Sequence, residues 1–305
     1  MTGRAVANTQ DFKHMSEFSS RSHRVALIGA GIQRSASPSM HMEEAKALGF
    51  TYKYELLDLD QLGNDATVLP KLLDDCEAQG YTGLNITYPC KQAVIPLLTE
   101  LSPEARALHA VNTVVFRDGK RIGYNTDCWG FAESFRRGLP DVSRRRVVLV
   151  GAGGAGAAVG YAALELGVQH LEIHDIDAAK AETLAKRLAA LHSSARVEAT
   201  TQLAEALAQC DGMIHATPTG MAKLPGLPIP ADSLRPSMWV AEVVYVPLVT
   251  ELLALARAKG CRTLDGGGMA VFQAVKAFEL FTGIMPDAER MLDRFNRATR
   301  NSSED

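Results

Sequence analysis

The chain has 305 residues, of which 47% are hydrophobic and 22% charged, and it carries a net charge of -3. Size and composition are those of a soluble globular protein with a full core and about two domains. The near-neutral balance argues against a nucleic-acid surface, and the absence of any run approaching 18 apolar residues argues against a helical membrane span.

Residues 1–23 are polar and lack the apolar centre of a signal peptide, so they read as a flexible extension. Residues 24–29 (RVALIG) form a buried strand, and 38–49 have the spacing of an amphipathic helix. Residues 51–59 alternate as a second strand, 69–79 are helical, and 83–87 (GLNIT) make a short strand. Helical patterns over 91–98 and 103–108 precede two strands, 111–116 and 121–124, which flank the hairpin signal Asp118-Gly119. A helix over 128–137 leads to the strand 146–151 (RVVLVG). From there the pattern is regular: helix 155–166, strand 171–175, helix 178–191, then strands at 212–216, 238–242 and 262–264. Such alternation means a parallel sheet with helices on both faces. A last helix at about 268–281 and a charged tail end the chain.

The five cysteines are far apart and include no C-x-x-C, and the eight histidines show no metal-ligand spacing. Free thiols in a reducing cytoplasm are expected, with no disulfide framework and no metal centre.

The strongest local signal is Gly151-Ala152-Gly153-Gly154-Ala155-Gly156, between the apolar strand Val147–Val150 and an alanine-rich helix. Gly151 permits the tight turn, Gly153 lets the backbone approach a pyrophosphate, and Gly156 lets helix and strand pack closely. The anion then lies at a helix N-terminus, where free N–H groups favour it. Asp175 ends the next strand, nineteen residues past Gly156, where an acid receives the adenosine ribose. A carboxylate there repels a 2′-phosphate, and no arginine follows it, so NAD is expected over NADP. The plain alternative is that the glycines only make a tight turn and Asp175 caps the next helix.

The first half carries polar clusters at strand ends: Ser35 and Ser37, Asn85 and Thr87 with Lys91, Asn112, and Asp127. Eight motifs run in order through the chain: S-A-S-P-S-M-H, G-L-N-I-T-Y-P-C-K-Q, A-V-N-T-V, G-Y-N-T-D, V-G-A-G-G-A-G-A-A, A-T-P-T-G-M, V-Y-V-P-L-V-T-E-L-L and G-G-G-M-A-V-F-Q-A. Together they resemble the shikimate/quinate dehydrogenase family, from about residue 25 to about 281. The resemblance implies oxidation of a ring hydroxyl of a cyclohexene or cyclohexane carboxylic acid, with hydride passing to a nicotinamide. It implies Lys91 and Asp127 as the catalytic pair. Lys91 is then either the base or a positioned cation, with Asp127 completing a relay. A lysine of ordinary pKa, about 10.4, needs desolvation or a cationic field to serve as a base. The resemblance further implies Ser35, Ser37 and Tyr245 as carboxylate anchors, and Asn85, Thr87, Asn112 and Gln273 as readers of ring hydroxyls. Thr217, Thr219 and Met221 then lie along the cofactor, with Val244 and Gly268 flanking the nicotinamide.

Asp175-Ile176-Asp177 resembles the NAD-using quinate/shikimate branch, whereas Ser37 resembles the shikimate enzymes. Glu242, where the family usually has Asp, and Met42-Glu43 after His41 depart from the pattern. The expected product is therefore an NAD-linked shikimate dehydrogenase with quinate as a possible second substrate. Two alternatives stand beside it: a paralogue acting on a related ring acid such as aminoshikimate, and a non-catalytic NAD-binding regulator. The expected architecture is two α/β domains, a substrate domain of 24–127 plus 270–305 and a Rossmann domain of 128–269, in a monomer or homodimer.

Overall fold

Alternating apolar runs and helices build two six-stranded sheets. The structure is a computed structural model and describes residues 22–63 and 65–301. The first sheet holds β1 (His23–Gly29), β2 (Tyr52–Asp58), β3 (Gly83–Ile86), β4 (Glu100–Leu101), β5 (Thr113–Arg117) and β6 (Lys120–Tyr124), in the order β2-β1-β3-β5-β6-β4. Strands β1, β2 and β3 are parallel, joined through the helices α1 (Ser37–Ala47), α2 (Leu59–Leu62) and α3 (Leu69–Ala78). The β5–β6 hairpin turns at Asp118 and Gly119, both left-handed, as a two-residue turn with the Asp-Gly signal requires.

Two boundaries in this half differ from the sequence expectation. His23 is not part of an extension: it opens β1, paired with Tyr52 and edge-on to Phe50. The rest of the expected extension lies outside the described residues. The helix expected over 91–98 splits into α4 (Cys90–Ala93) and a 3-10 turn, Ile95–Leu97, because Pro96 has no N–H to continue it. Between them and the hairpin comes α5 (Pro103–Leu108), where Ser102 caps the N-terminus.

Helix α6 (Thr126–Gly138) carries the chain to the second sheet. That sheet holds β7 (Arg146–Val150), β8 (His170–His174), β9 (Arg196–Ala199), β10 (Gly212–His215), β11 (Trp239–Glu242) and β12 (Arg262–Leu264). Its order is β12-β11-β10-β7-β8-β9, every pair is parallel, and it is doubly wound. The connecting helices are α7 (Gly154–Glu165), α8 (Ala178–Leu191), α9 (Leu203–Gln209) and α10 (Glu251–Ala258). Both faces of β7 are covered: Val147 and Leu149 join one apolar cluster, Val148 and Val150 another. That is why its sequence is continuously apolar rather than alternating.

Helix α11 (Gly267–Thr282) then runs along α6. A Cβ at Gly130 would lie 2.6 Å from the Gln273 nitrogen, and one at Gly268 would lie 2.1 Å from Ser134 Oγ. The far end of α11 reaches the first sheet, where Ala277, Phe278 and Phe281 pack with Val25, Leu27 and Val115. The expected charged tail is instead a helix, α12 (Ala288–Asn301). Met291 and Phe295, one turn apart, bury against Met40, Val271 and Phe272, while its charged residues face outward or pair. Among the described residues no helix is long and apolar enough to cross a membrane.

The carboxylate of Glu44 on α1 ties α12 down. It is 1% exposed, accepts two hydrogen bonds from Arg290 at 2.6 and 2.7 Å, and accepts the Asp287 N–H at 2.7 Å. Glu44→Ala should destabilise the protein by about 1–3 kcal/mol, read from the midpoint of urea unfolding, because it removes a buried carboxylate that holds three N–H donors at once.

Candidate active site

The second sheet reverses its winding between β7 and β10, so the loops after these two strands part there and leave a crevice. Gly151 sits in that gap with φ of 109°, and a Cβ on it would lie 2.7 Å from the Ala216 carbonyl oxygen. Gly156 is as constrained, since its Cβ would lie 2.0 Å from the Gly151 oxygen. These two glycines are required by the chain's own packing.

Gly153 and Gly154 are different. A Cβ at either would meet no atom within 4 Å, and neither has a positive φ. Nothing in the chain explains glycine there, so the bare backbone suits a group from outside. Helix α7 begins at this point, its N-cap Gly153 supplying no side-chain cap for the first N–H groups. A cavity of about 420 Å³ opens beside them, lined also by Gln92, Lys180 and Arg187. Arg187 Nε is buried without a partner among the described residues, and burial lowers the guanidinium pKa. No carboxylate lines this cavity. Free N–H groups, two cations and no acid fit a dinucleotide pyrophosphate.

Asp175 does not cap α8; Asp177 does, accepting the Ala179 N–H at 3.1 Å. Asp175 accepts the Ala152 N–H at 2.7 Å and the Asp177 N–H at 2.9 Å. Each carboxylate oxygen keeps lone pairs for a ribose hydroxyl. Ile176 beside it is fully exposed.

The polar clusters of the first half converge at the strand ends of the first sheet. Lys91 on α4 donates to Asp127 Oδ2 at 2.6 Å, with side-chain exposures of 29% and 13%. Asp127 stands in the first turn of α6, which Asn125 caps by accepting the Asp127 and Cys128 N–H groups. The Asn112 amide donates to Asp127 Oδ1 and to Thr126 Oγ1, both at 2.9 Å. Its oxygen accepts the Thr126 N–H and the Thr113 hydroxyl. Thr113 also receives the Asn85 amide at 3.1 Å, and Asn85 Oδ1 accepts the Tyr54 hydroxyl at 2.8 Å. Ser37, the first residue of α1 rather than its cap, bonds the same tyrosine hydroxyl. One buried network thus joins Ser37, Asn85, Asn112, Asp127 and Lys91.

Tyr245 lies within reach of the charges on Lys91 and Asp127; burial pushes its phenol up, and Lys91 opposes that shift. The other expected residues make separate contacts. Ser35 Oγ accepts the Ser37 N–H at 3.3 Å. Thr87 is half-buried, its methyl group against Gly29. Gln273 donates to the Ala270 carbonyl of its own helix. Thr217 and Thr219 follow β10 and are half-buried, Met221 is exposed and bridges to Leu224, and Val244 is buried past β11. Gly268 owes its bareness to Ser134 of α6.

Sequence reasoning missed Tyr54, which stands in no polar cluster, and gave no role to Thr113, beside Asn112 in A-V-N-T-V. It missed Lys180 and Arg187 because the cavity they line is closed by segments far apart in the sequence, Gln92 and Leu108 from the first half and Gly153 and Ala157 from the second. It also gave no hint that β8 and β9 bring His170, Glu172 and Glu198 together, with ligand atoms within 4.8 Å. There Arg146 pairs with Glu172 and Arg196 with Glu198, so two guanidinium groups already answer the carboxylates.

Comparison with known proteins places this geometry. Residues 27–114 match the shikimate dehydrogenase substrate binding domain, and residues 266–294 the shikimate 5′-dehydrogenase C-terminal domain. Shikimate dehydrogenase (NADP(+)) of Streptomyces avermitilis is 54% identical over 89% of this chain and 94% of its own. The chain belongs to the shikimate/quinate dehydrogenase family. Quinate/shikimate dehydrogenase (NAD(+)) of Corynebacterium efficiens is 46% identical over 89% of this chain and 96% of its own. The solved quinate dehydrogenase from Corynebacterium glutamicum in complex with NAD superposes with a TM-score of 0.86 at 43% identity, covering 90% and 99% of the two chains. The protein is accordingly an oxidoreductase that works with a nicotinamide dinucleotide, and it has the two-domain α/β fold that the motifs implied.

The two kinds of glycine separate in a simple test. Gly153→Ala should leave the melting temperature unchanged while weakening dinucleotide binding, read by calorimetry, by about tenfold or more, since a methyl group then stands where the backbone approaches the ligand. Gly156→Ala should lower the melting temperature itself.

Proposed function

We propose that this family member is an NAD-linked shikimate dehydrogenase that also accepts quinate, with Lys91 and Asp127 as its catalytic pair. The observation that carries the reading is the 2.6 Å contact between these two side chains, brought together from α4 and α6 at one end of the polar network. A nicotinamide dinucleotide held by the glycine loop would supply the hydride acceptor in oxidation and the hydride donor in reduction. In oxidation Lys91 receives the proton that the ring hydroxyl loses as it passes one of its own to Asp127, and in reduction the relay runs back. Asp127, held by Asn112 on its other oxygen, fixes where the amine stands. Ser35, Ser37 and Tyr245 hold the ring carboxylate through hydroxyl donors, while Asn85, Thr87, Asn112 and Gln273 read the ring hydroxyls. A site that spends buried donors on hydroxyls rejects an acid lacking them. The substrate-binding domain comprises 24–127 with 270–305, and the dinucleotide domain 128–269.

For the cofactor, Gly151–Gly156 cradles the pyrophosphate and Asp175 receives the ribose diol, which supports NAD. Thr217, Thr219, Met221, Val244 and Gly268 line the nicotinamide end. A second reading, NADP, has Lys180 and Arg187 in its favour, as both line the cavity beside Gly153. The buried, unpaired cysteines suit a cytoplasmic enzyme.

Assays of dinucleotide reduction with shikimate and quinate, each with NAD and NADP, test the substrates directly; no turnover with either acid refutes them. Lys91→Ala should lower kcat by about 100–10,000-fold, the span expected of a lost acid–base group, with dinucleotide affinity unaltered. If NAD is the cofactor, Asp175→Ser should shift the ratio of kcat/KM for NAD over NADP toward NADP by about tenfold, as expected from removing one carboxylate charge beside a phosphate.

A further inference from the structure

Glu242 departs from the family pattern, and the mechanism above does not use it. Its side chain is fully buried at the end of β11, directly opposite His215 at the end of β10. Oε1 accepts His215 Nδ1–H at 2.7 Å and the Val244 N–H at 3.2 Å, and Oε2 accepts the Thr250 hydroxyl at 3.1 Å. His215 Nε2 lies 2.5 Å from Thr217 Oγ1.

The proton directions follow from the neighbours. Thr217 Oγ1 already receives the Thr219 N–H, so its own proton is free to go to Nε2. Thr250 Oγ1 receives the Leu253 N–H at the cap of α10, so its proton is free to go to Glu242. His215 then accepts at Nε2 and donates at Nδ1, and each of these polar hydrogens has an acceptor. This one carboxylate therefore ties together the loop after β10, the loop after β11 and the start of α10. Aspartate, shorter by one carbon–carbon bond of about 1.5 Å, could not reach all three donors and keep His215 against Thr217.

We propose that Glu242 and His215 are positioning residues for the dinucleotide, clamping Thr217, Thr219 and Val244 so that the nicotinamide end of the crevice is formed before the cofactor arrives. The pair touches neither substrate nor cofactor. It acts through loop order, so its loss raises the cost of ordering the loops on binding. The proposal rests on the assignment of those three residues to the dinucleotide.

The test separates the two ligands, because of the residues assigned to the substrate only Tyr245 stands in a clamped loop, and none of Glu242's hydrogen bonds goes to it. In Glu242→Gln, an amide N–H2 faces donors in place of a carboxylate oxygen. The dissociation constant for NAD, measured by calorimetry without turnover, should rise about tenfold, the loss expected for one or two hydrogen bonds. The dissociation constant for shikimate measured alone should stay within about twofold, and Glu242→Asp should fall between wild type and Glu242→Gln. Amide exchange at Thr219 and Val244 should quicken in step. Parallel loss of both affinities marks a merely structural role and overturns the proposal, as does no change in either. Faster exchange with unaltered NAD affinity overturns it through the assignment of the loops, leaving the Lys91–Asp127 reading intact. If Glu242→Gln does not fold, wild-type exchange decides: slow exchange at Thr219 and Val244 before NAD is added is expected, and fast exchange overturns the clamp.

Discussion

The relation between the two halves of this protein rests on one close contact, α6 against α11. The chain leaves the first sheet through α6 and returns toward it through α11. At Gly130 and Gly268 neither helix has room for a side chain facing the other. Backbone-to-backbone approach of this kind leaves little freedom in spacing, because no side chain can rearrange to accommodate a shift. Asp127 stands in the first turn of α6 and Gln273 in α11, so the same contact fixes where both enter the cleft.

The polar network depends on that placement. Lys91 belongs to the segment after β3, Asn112 to the one before β5 and Asp127 to the one after β6, and sequence distance gives them no reason to meet. The adjacency of β3, β5 and β6 supplies the reason. Asn112 makes the junction: its amide satisfies Asp127 and Thr126, and its oxygen takes Thr113 and the Thr126 N–H. Buried polar groups so fully paired are costly to rearrange, since moving any one orphans its neighbours. The geometry proposed as catalytic is thus held by the fold around the first sheet rather than assembled by substrate.

Most of the architecture was legible in the sequence where patterns were strong. The strand–loop–helix around Gly151–Gly156 and the helix Ala178–Leu191 stand where periodicity put them. Short edge elements were not legible. Strand β9 is four residues long and only half-buried, and β4 has two residues, too few to show a period. Helix α12 had a readable signal, Met291 and Phe295 one turn apart, but its many charges hid it as a tail. At the site, the motifs brought Lys91, Asp127, Ser37, Asn85 and Asn112 into view. The partners of Tyr54, Thr113, His215 and Glu242 were not legible because their work is done across strands, and pairing across strands is visible only once the order of the sheet is known.

Asp175 shows how closely shape and recognition are joined at the other end of the cleft. Its carboxylate accepts the Ala152 N–H, inside the glycine loop, and the Asp177 N–H, just before α8. It therefore draws the loop after β7 toward the end of β8, and Gly151 donates its N–H to the His174 carbonyl in the same stitch. A residue placed only to meet a ribose would be dispensable to the free protein. Asp175 is tied into the loop that carries the pyrophosphate, so the group proposed to read the ribose also sets the distance between ribose and phosphate sites. That double use explains why the acid stands at the tip of β8, where its carboxylate reaches the loop's backbone, and not farther along α8.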